Sequence, residues 1–304
     1  MNKTEENIPF FSILMSTYNR ADLLPRAIRS IKKQLLPNWE LILVNDGGED
    51  ISHIVKSFFD KRIRLVNLED NAGKSAAINI AYKHSKGEYI AYLDDDDEWL
   101  PNHLQTHYDF ILNHPEAMVS HSNACRVDVE KKRSGEEIII SRHLIYCNPV
   151  SFKELIKKNG ITWLSVVHKR ECFETVGGLD ERLQVLVDFD LWRRMSMLYR
   201  FHHIPVHTGN YYIHRQVDQQ ITGLAVKNPL RFHAAAVLVQ RKKVPPELKA
   251  RYCRELQAAR AEAYKLFLQA RADQFMSAGN EKRCAASLAL AEKIGKKQSR
   301  AEPA

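Results

Sequence analysis

The sequence predicts an α/β fold: a mostly parallel sheet flanked by helices, followed by a C-terminal helical extension. Three observations carry that prediction. Short apolar runs alternate with amphipathic segments four times in the first hundred residues, the order that right-handed β-α-β crossovers require. Three of those runs end in polar clusters, Thr17 to Arg20, Asn45 to Gly48 and Asp94 to Asp97, which places the clusters at one edge of the sheet. Beyond Pro245-Pro246, apolar residues from Leu248 to Ala270 recur every three or four positions, the helical period.

Each element has its own signal. Phe10 to Met15 is an apolar run suited to a first strand, and Ala21 to Leu35 carries Leu23, Leu24, Ala27, Ile28 and Ile31 at helical spacing, with Asp22 as its cap. Trp39 to Val44 makes a second strand and Ile51 to Phe59 a second helix. Ile63 to Val66 makes a third strand, and Ser75 to His84 a third helix. Tyr89 to Leu93 is the fourth strand, filled by aromatic and aliphatic residues. Further on, Pro101 to Asn113 reads as a helix, Ala117 to Asp128 as one or two strands, and Lys131 to Gly135 as a basic turn leading into Ile138 to Ile140. Ser151 caps a helix to Lys158, Ile161 to His168 reads as a strand, Asp188 to Tyr199 as a helix and Phe201 to His214 as extended chain. The last two helices, split at Gly279-Asn280, form a hairpin.

The bulk numbers narrow the class. At 304 residues, 44% hydrophobic and 27% charged, the chain can bury a sizeable core. It contains no apolar run of membrane-spanning length and its first ten residues lack a signal-peptide layout, so a cytoplasmic location is expected. Five cysteines, never closer than 22 residues, argue against a disulfide framework or a zinc knuckle. The net charge of +8 sits in the tail: residues 225–304 hold 17 basic and 7 acidic residues, residues 1–224 hold 28 and 30. That division suggests a catalytic part over 1–224 and a basic helical region over 225–304. The basic region is suited to an anionic lipid surface or to pairing with another copy; a nucleic-acid partner is not expected.

Four adjacent carboxylates, Asp94 to Asp97, repel one another unless cations or donors face them. A solvated acidic turn explains one such cluster; three clusters at three strand ends point to a ligand edge. An EF-hand is excluded, since the loop lacks its glycine and distal glutamate.

The series FSILMSTYNR, ELILVNDGGED, DNAGKSAAIN, GEYIAYLDDDDEWLP, VGGLDERL and VDFDLWRRM resembles the family 2 glycosyltransferases in order and spacing. The resemblance spans about residues 9 to 215 and implies a GT-A, Rossmann-like fold and inverting transfer from a nucleotide sugar, with UDP favoured. It implies that Asp46 meets the base, that Thr17, Tyr18 and Arg20 line the nucleoside pocket, and that Lys74 lies between base and diphosphate. Asp46 is also placed to cap the helix near Ile51. Asp94 and Asp95 are implied as nucleotide contacts, the latter facing the ribose, and Asp96 as the ligand of a divalent Mg or Mn. Asp97 is left between capping and a supporting role. Asp188 is implied as the base that takes a proton from the acceptor hydroxyl, Asp180 and Glu181 as the acceptor-side pair, and His214 as a candidate metal ligand, with a satisfied surface histidine as the favoured competing role. Trp163 is a candidate for stacking on an acceptor sugar, with core packing as the competing role. The acceptor is expected to be a glycan or a lipid-linked sugar. Two other classes compete: a nucleotidyltransferase making nucleotide sugars, which would open with a glycine-rich loop where this chain has STYNR, and a non-catalytic metal or carbohydrate module.

Overall fold

The computed structural model describes residues 8–132, 137–145, 150–214 and 228–299. It is built on a nine-stranded sheet of order β3-β2-β1-β4-β8-β6-β9-β5, with β7 pairing outside that path on β6. The strands are β1 (Phe11–Thr17), β2 (Trp39–Asn45), β3 (Ile63–Asn67), β4 (Tyr89–Tyr92), β5 (Glu98–Trp99), β6 (Val119–Lys131), β7 (Glu137–Ile145), β8 (Val166–Lys169) and β9 (Phe201–His214).

The first four strands are parallel, as the alternating pattern requires. Their register puts Thr17 beside Asn45 and Asn45 beside Asn67, so their C-terminal ends share one edge. Past β4 the sheet turns mixed: β8 runs antiparallel to both β4 and β6, while β9 is parallel to β6 and antiparallel to β5. The parallel character is therefore that of the first half.

Strand side chains alternate between two faces. Ile13, Met15, Leu41, Leu43 and Ala91 pack on one face against helices α1 (Leu24–Lys32) and α4 (His103–Asn113). Leu14, Ile42, Val44, Ile90 and Tyr92 pack on the other against α3 (Lys74–His84) and α7 (Val187–Met195). With both faces covered, the strands read as near-continuous apolar runs. Helix α2 (Ser52–Ser57) lies outside, between β2 and β3.

Several boundaries differ from expectation. α1 starts at Leu24 rather than Ala21: Arg20 to Leu23 form a turn, Pro25 sits in the first helical turn, and no side chain caps it. The segment expected as a strand from Ile161 splits into a 3-10 turn at Trp163–Ser165 and β8. Two short helices, α5 (Phe152–Lys157) and α6 (Arg170–Thr175), border this segment. Ser151 and Glu154 form the capping box of α5. Most of the expected basic turn, residues 133–136, lies outside the described residues, as does Cys147. Cys125, Cys172 and Cys284 are buried and Cys253 is exposed, all free thiols.

The C-terminal region adds α8 (Pro229–Arg241), which the sequence reading omitted, then α9 (Pro246–Arg251), α10 (Cys253–Ser277) and α11 (Glu281–Ser299). α8 is fastened through backbone acceptors: Gln240 Nε2 donates to the Ile156 carbonyl (2.8 Å) and Arg193 Nη1 to the Val239 carbonyl (3.1 Å). Leu256 of α10 packs on Phe152 and Ile156. α10 and α11 form the expected hairpin, turned at Gly279 (φ +70°), a conformation that disfavours a side chain. Among the described residues no helix is long and apolar enough to cross a membrane.

Candidate active site

The parallel half of the sheet carries the site at the C-terminal ends of β1, β2 and β4. Behind β4 the chain turns back at once, the Asp97 amide donating to the Asp94 carbonyl (3.2 Å). That turn folds the acidic run onto itself. Asp94, Asp96 and Asp97 each offer an oxygen, and these oxygens lie within 4.8 Å of one another. Asp97, which the sequence left without a role, therefore joins Asp94 and Asp96.

Asp95 points elsewhere. The Thr17 hydroxyl donates to its Oδ2 (2.6 Å), and Arg20 Nη1 donates to its Oδ1 (3.0 Å) and to Asp96 Oδ2 (3.1 Å). Lys74, at the first position of α3, donates to both oxygens of Asp94 (2.6 and 2.8 Å). Two cations from two elements thus face four carboxylates.

The proton affinities follow from crowding. Burial, then Asp96, pushes Asp95 up to about 7, against the pull of Arg20 and Thr17. Burial together with Asp96 and Asp94 raises Asp97 well above the usual carboxylate range. Burial opposes the charge on Lys74, but Asp94 chiefly, with Asp188 and Asp96, more than offsets it, so the ammonium is held. Arg20 is held likewise by Asp95 and Asp96. Surplus negative charge and converging hard oxygens are the donor set that suits a divalent cation, so the residues present fit an Mg or Mn ion.

Asp46 follows β2 and is buried. Its carboxylate accepts from the Ala72 and Gly73 amides (2.8 and 3.0 Å), so it pins the loop entering α3 rather than capping the helix near Ile51. Gly47 permits this: at φ +70° a side chain there would strike the backbone of Asp70 and Asn71. Tyr18 stands exposed beside Thr17 and Arg20.

Asp188 is the second residue of α7 and an electrostatic neighbour of both Lys74 and Asp94. Its Oδ1 accepts from the Phe189 amide (2.7 Å) and its Oδ2 from Asn159 Nδ2 (2.7 Å). Burial raises its pKa; the Phe189 amide and Lys74 oppose that rise and Asp94 adds to it. Asp188 and the acidic run thus share Lys74 as a neighbour.

Three expected residues take other places. Trp163 is buried, packed on Tyr92 (ring centroids 4.1 Å) and Trp192 (5.4 Å), with Lys74 Nζ 4.9 Å from its ring centre. Its faces serve the core and the floor beneath Lys74, which corrects the expectation of stacking on an acceptor. His214 lies outside the set of oxygens within 4.8 Å: its Nδ1 lies 3.5 Å from Glu137 Oε1, burial lowers its pKa, and Glu137 and Asp96 oppose that fall. The converging donors are Asp94, Asp96 and Asp97. Asp180 is committed to Arg182 (2.8 Å) and Lys242 (2.8 Å), with its pKa strongly lowered by Arg182 first and then Lys242. Glu181 accepts from Asn79 Nδ2 (2.9 Å) and is exposed.

Sequence reasoning missed Asn159 and Arg26. Arg26 Nη2 donates to the Asp96 carbonyl (2.6 Å), its Nη1 to Glu137 (2.7 Å), and its guanidinium lies 3.8 Å from the Tyr212 ring centre. The Asn159-Gly160 pair signals a turn, but no local pattern links it to a residue 29 positions on.

Comparison with known proteins agrees with this geometry. A putative colanic acid biosynthesis glycosyl transferase, WcaA of Escherichia coli K12, is 33% identical over 202 residues, 64% of this chain and 68% of that protein. The E. coli WfgD, named a UDP-Glc:alpha-D-GlcNAc-diphosphoundecaprenol beta-1,3-glucosyltransferase, is 30% identical over 164 residues, 52% of this chain and 60% of that protein. The crystal structure of S. aureus TarS 1-349 in complex with UDP-GlcNAc superposes with a TM-score of 0.64 at 16% identity, over 93% of this chain and 91% of that one, and shows the shared fold. The family model for glycosyl transferase family 2 matches residues 12–167, just over half of the chain and the whole span from β1 to β8 that builds the acidic edge, so this protein belongs to glycosyltransferase family 2.

Proposed function

We propose that the chain moves a sugar from a UDP-sugar to a hydroxyl of a glycan or lipid-linked acceptor, with inversion, in cell-surface polysaccharide assembly. The observation that carries this reading is the convergence of Asp94, Asp96 and Asp97 beside Lys74, a lysine that also neighbours Asp188. The names of the relatives support it: WcaA is named for colanic acid biosynthesis, and WfgD for a UDP-sugar donor and a diphosphoundecaprenol-linked acceptor. Family membership sets aside the nucleotidyltransferase and the non-catalytic module.

In this reading Asp94, Asp96 and Asp97 would hold Mg or Mn, which when bound would neutralise charge on the departing diphosphate. Lys74 supplies a point charge to the diphosphate, and Arg20, Thr17 and Tyr18 border the nucleoside. Asp46 shapes that pocket through the loop it pins and meets the base from there. Asp188 takes the acceptor proton. Its burial gives it the raised proton affinity a base needs, and the Phe189 amide holds it in place. Glu181, which is exposed, borders the acceptor, and Asp180, held by Arg182 and Lys242, supports that border. Residues 1–224 form the catalytic part; the basic region 225–304 docks on it and offers its charge to the lipid surface that bears such acceptors.

Calorimetry with UDP tests the reading. Mn should strengthen UDP binding to the wild-type chain and not to Asp96→Asn. Equal UDP binding with and without Mn, in both proteins, would overturn it.

A further inference from the structure

We infer that Asn159 is the positioning residue of the proton transfer, fixing both the direction and the ionisation of Asp188; this rests on the reading of Asp188 as the base. Asn159 lies in the loop between α5 and the 3-10 turn, on a different element from the base. Its amide cannot be turned around. The Ile161 amide donates to Asn159 Oδ1 (3.1 Å), so Nδ2 is the end that faces Asp188 Oδ2 at 2.7 Å. The Phe189 amide holds Oδ1 of the same carboxylate. Each carboxylate oxygen therefore carries one anchoring donor and keeps acceptor capacity for a substrate hydroxyl. A carboxylate gripped at both oxygens from two elements cannot rotate without breaking a bond to the backbone or to Asn159.

The same contact favours the charged form, beside the Phe189 amide and Lys74. Burial drives Asp188 toward the neutral acid, which is no base. A neutral amide donating to the ionised form works against burial while adding no charge of its own. The charged groups facing Asp188 are Lys74 from α3 and Asp94 from the turn behind β4, and neither is bonded to Asn159. In the step itself the acceptor O–H proton passes to the Asp188 carboxylate while the acceptor oxygen bonds to the anomeric carbon. The bond from that carbon to the donor diphosphate breaks, and the diphosphate leaves with the electron pair.

Asn159→Asp separates this role from a purely structural one. It keeps the shape and still accepts from Ile161, yet sets a second carboxylate against Asp188. The acid limb of the kcat profile should move up by about one pH unit or more, with kcat on that limb down by roughly tenfold and donor KM unchanged. Asn159→Ala should move the limb in the same direction by less, and it serves as the test if the aspartate variant does not fold. Unchanged profiles in both folded variants, with Asp188→Asn inactive, would overturn the role of Asn159 alone. Wild-type transfer by Asp188→Asn would remove the base assignment and this inference with it.

Discussion

The acidic edge behind β4 and the histidine seam under α4 both bury ionisable groups, and they solve the cost in opposite ways. At the edge, Arg20 pairs with Asp95 and Asp96, and Lys74 with Asp94. In the seam, His103 and His107 of α4 lie next to His121 of β6 and His203 of β9. His103 stacks on Trp99 (4.0 Å) and shares a hydrogen bond with Thr208, His107 shares one with Ser120, and His121 stacks on His203 (5.0 Å). Among the described residues no carboxylate is a leading influence on them, and burial drives His107 and His121 down to about 3 and His103 well below its ordinary value, so they are held neutral. Counter-charge keeps a site able to handle charged ligands; neutralisation makes packing material. Thirteen histidines in a sequence therefore say little about chemistry, whereas four aspartates at a strand end say much.

The largest expected effects dissociate the two regions. Asp188→Asn should cut kcat by about 10²–10⁴ with little change in melting temperature, since it removes a base and not a packing group. His107→Ala should do the reverse. It opens a cavity and leaves the Ser120 hydroxyl only its longer bond to the Val167 carbonyl, costing roughly 2–4 kcal/mol of stability, while the folded fraction binds UDP as before. A transfer defect in His107→Ala as deep as that of Asp188→Asn would break the division.

Acid titration comes next. The seam histidines and His168, at about 4, have folded pKa values below the ordinary 6.5, burial being the first cause. Between pH 6.5 and about 4 the unfolded chain binds protons that the folded one refuses. Stability from this source is complete above pH 6.5 and declines as pH falls, by up to about 1.4 kcal/mol per pH unit for each histidine. Denaturant midpoints measured across pH 4 to 7 should fall less steeply on the acid side in His107→Leu than in the wild type; parallel curves would count against a neutral seam.

What was legible in the sequence shares a physical basis. The runs Phe10 to Met15, Trp39 to Val44 and Tyr89 to Leu93 report strands because both of their faces are covered, and Asp94 to Asp97 stands out because it interrupts such a run. Contacts between distant segments were not legible. Asp46 could be seen as a carboxylate at a strand end, but the amides it binds come from residues 26 and 27 positions later. Trp163 reads the same whether it stacks on a sugar or on Tyr92. α8 was missed because its apolar residues spread around the helix, so that only Ala235, Val239 and Gln240 are buried. Asp97 joins Asp94 and Asp96 only through the turn behind β4, which no local pattern shows.

The smallest expected effect is the sharpest statement of the difference. Asp97 has a folded pKa raised well above that of an ordinary aspartate, by burial first and then by Asp96 and Asp94. At neutral pH its ionisation in the metal-free protein works against folding. As pH falls through its raised pKa toward 3.8, the folded state gains a proton before the unfolded one does, which adds stability on acidification, the opposite sign to the seam. Asp97→Asn keeps an oxygen for the Tyr212 amide, now at 2.9 Å from Oδ1, and removes the repulsion. It should therefore raise the stability of the chelated protein at pH 7 by about 1 kcal/mol and steepen its loss of stability in acid, because the seam then titrates against one raised carboxylate fewer, Asp95 and Asp188 remaining. The same variant should lose the stabilisation that Mn and UDP give the wild type, which is about 2.7 kcal/mol at a hundredfold excess over Kd. A residue whose removal strengthens the empty fold and weakens the loaded one is retained for its ligand. An Asp97→Asn protein less stable than wild type without metal would mean that Asp97 serves the turn instead.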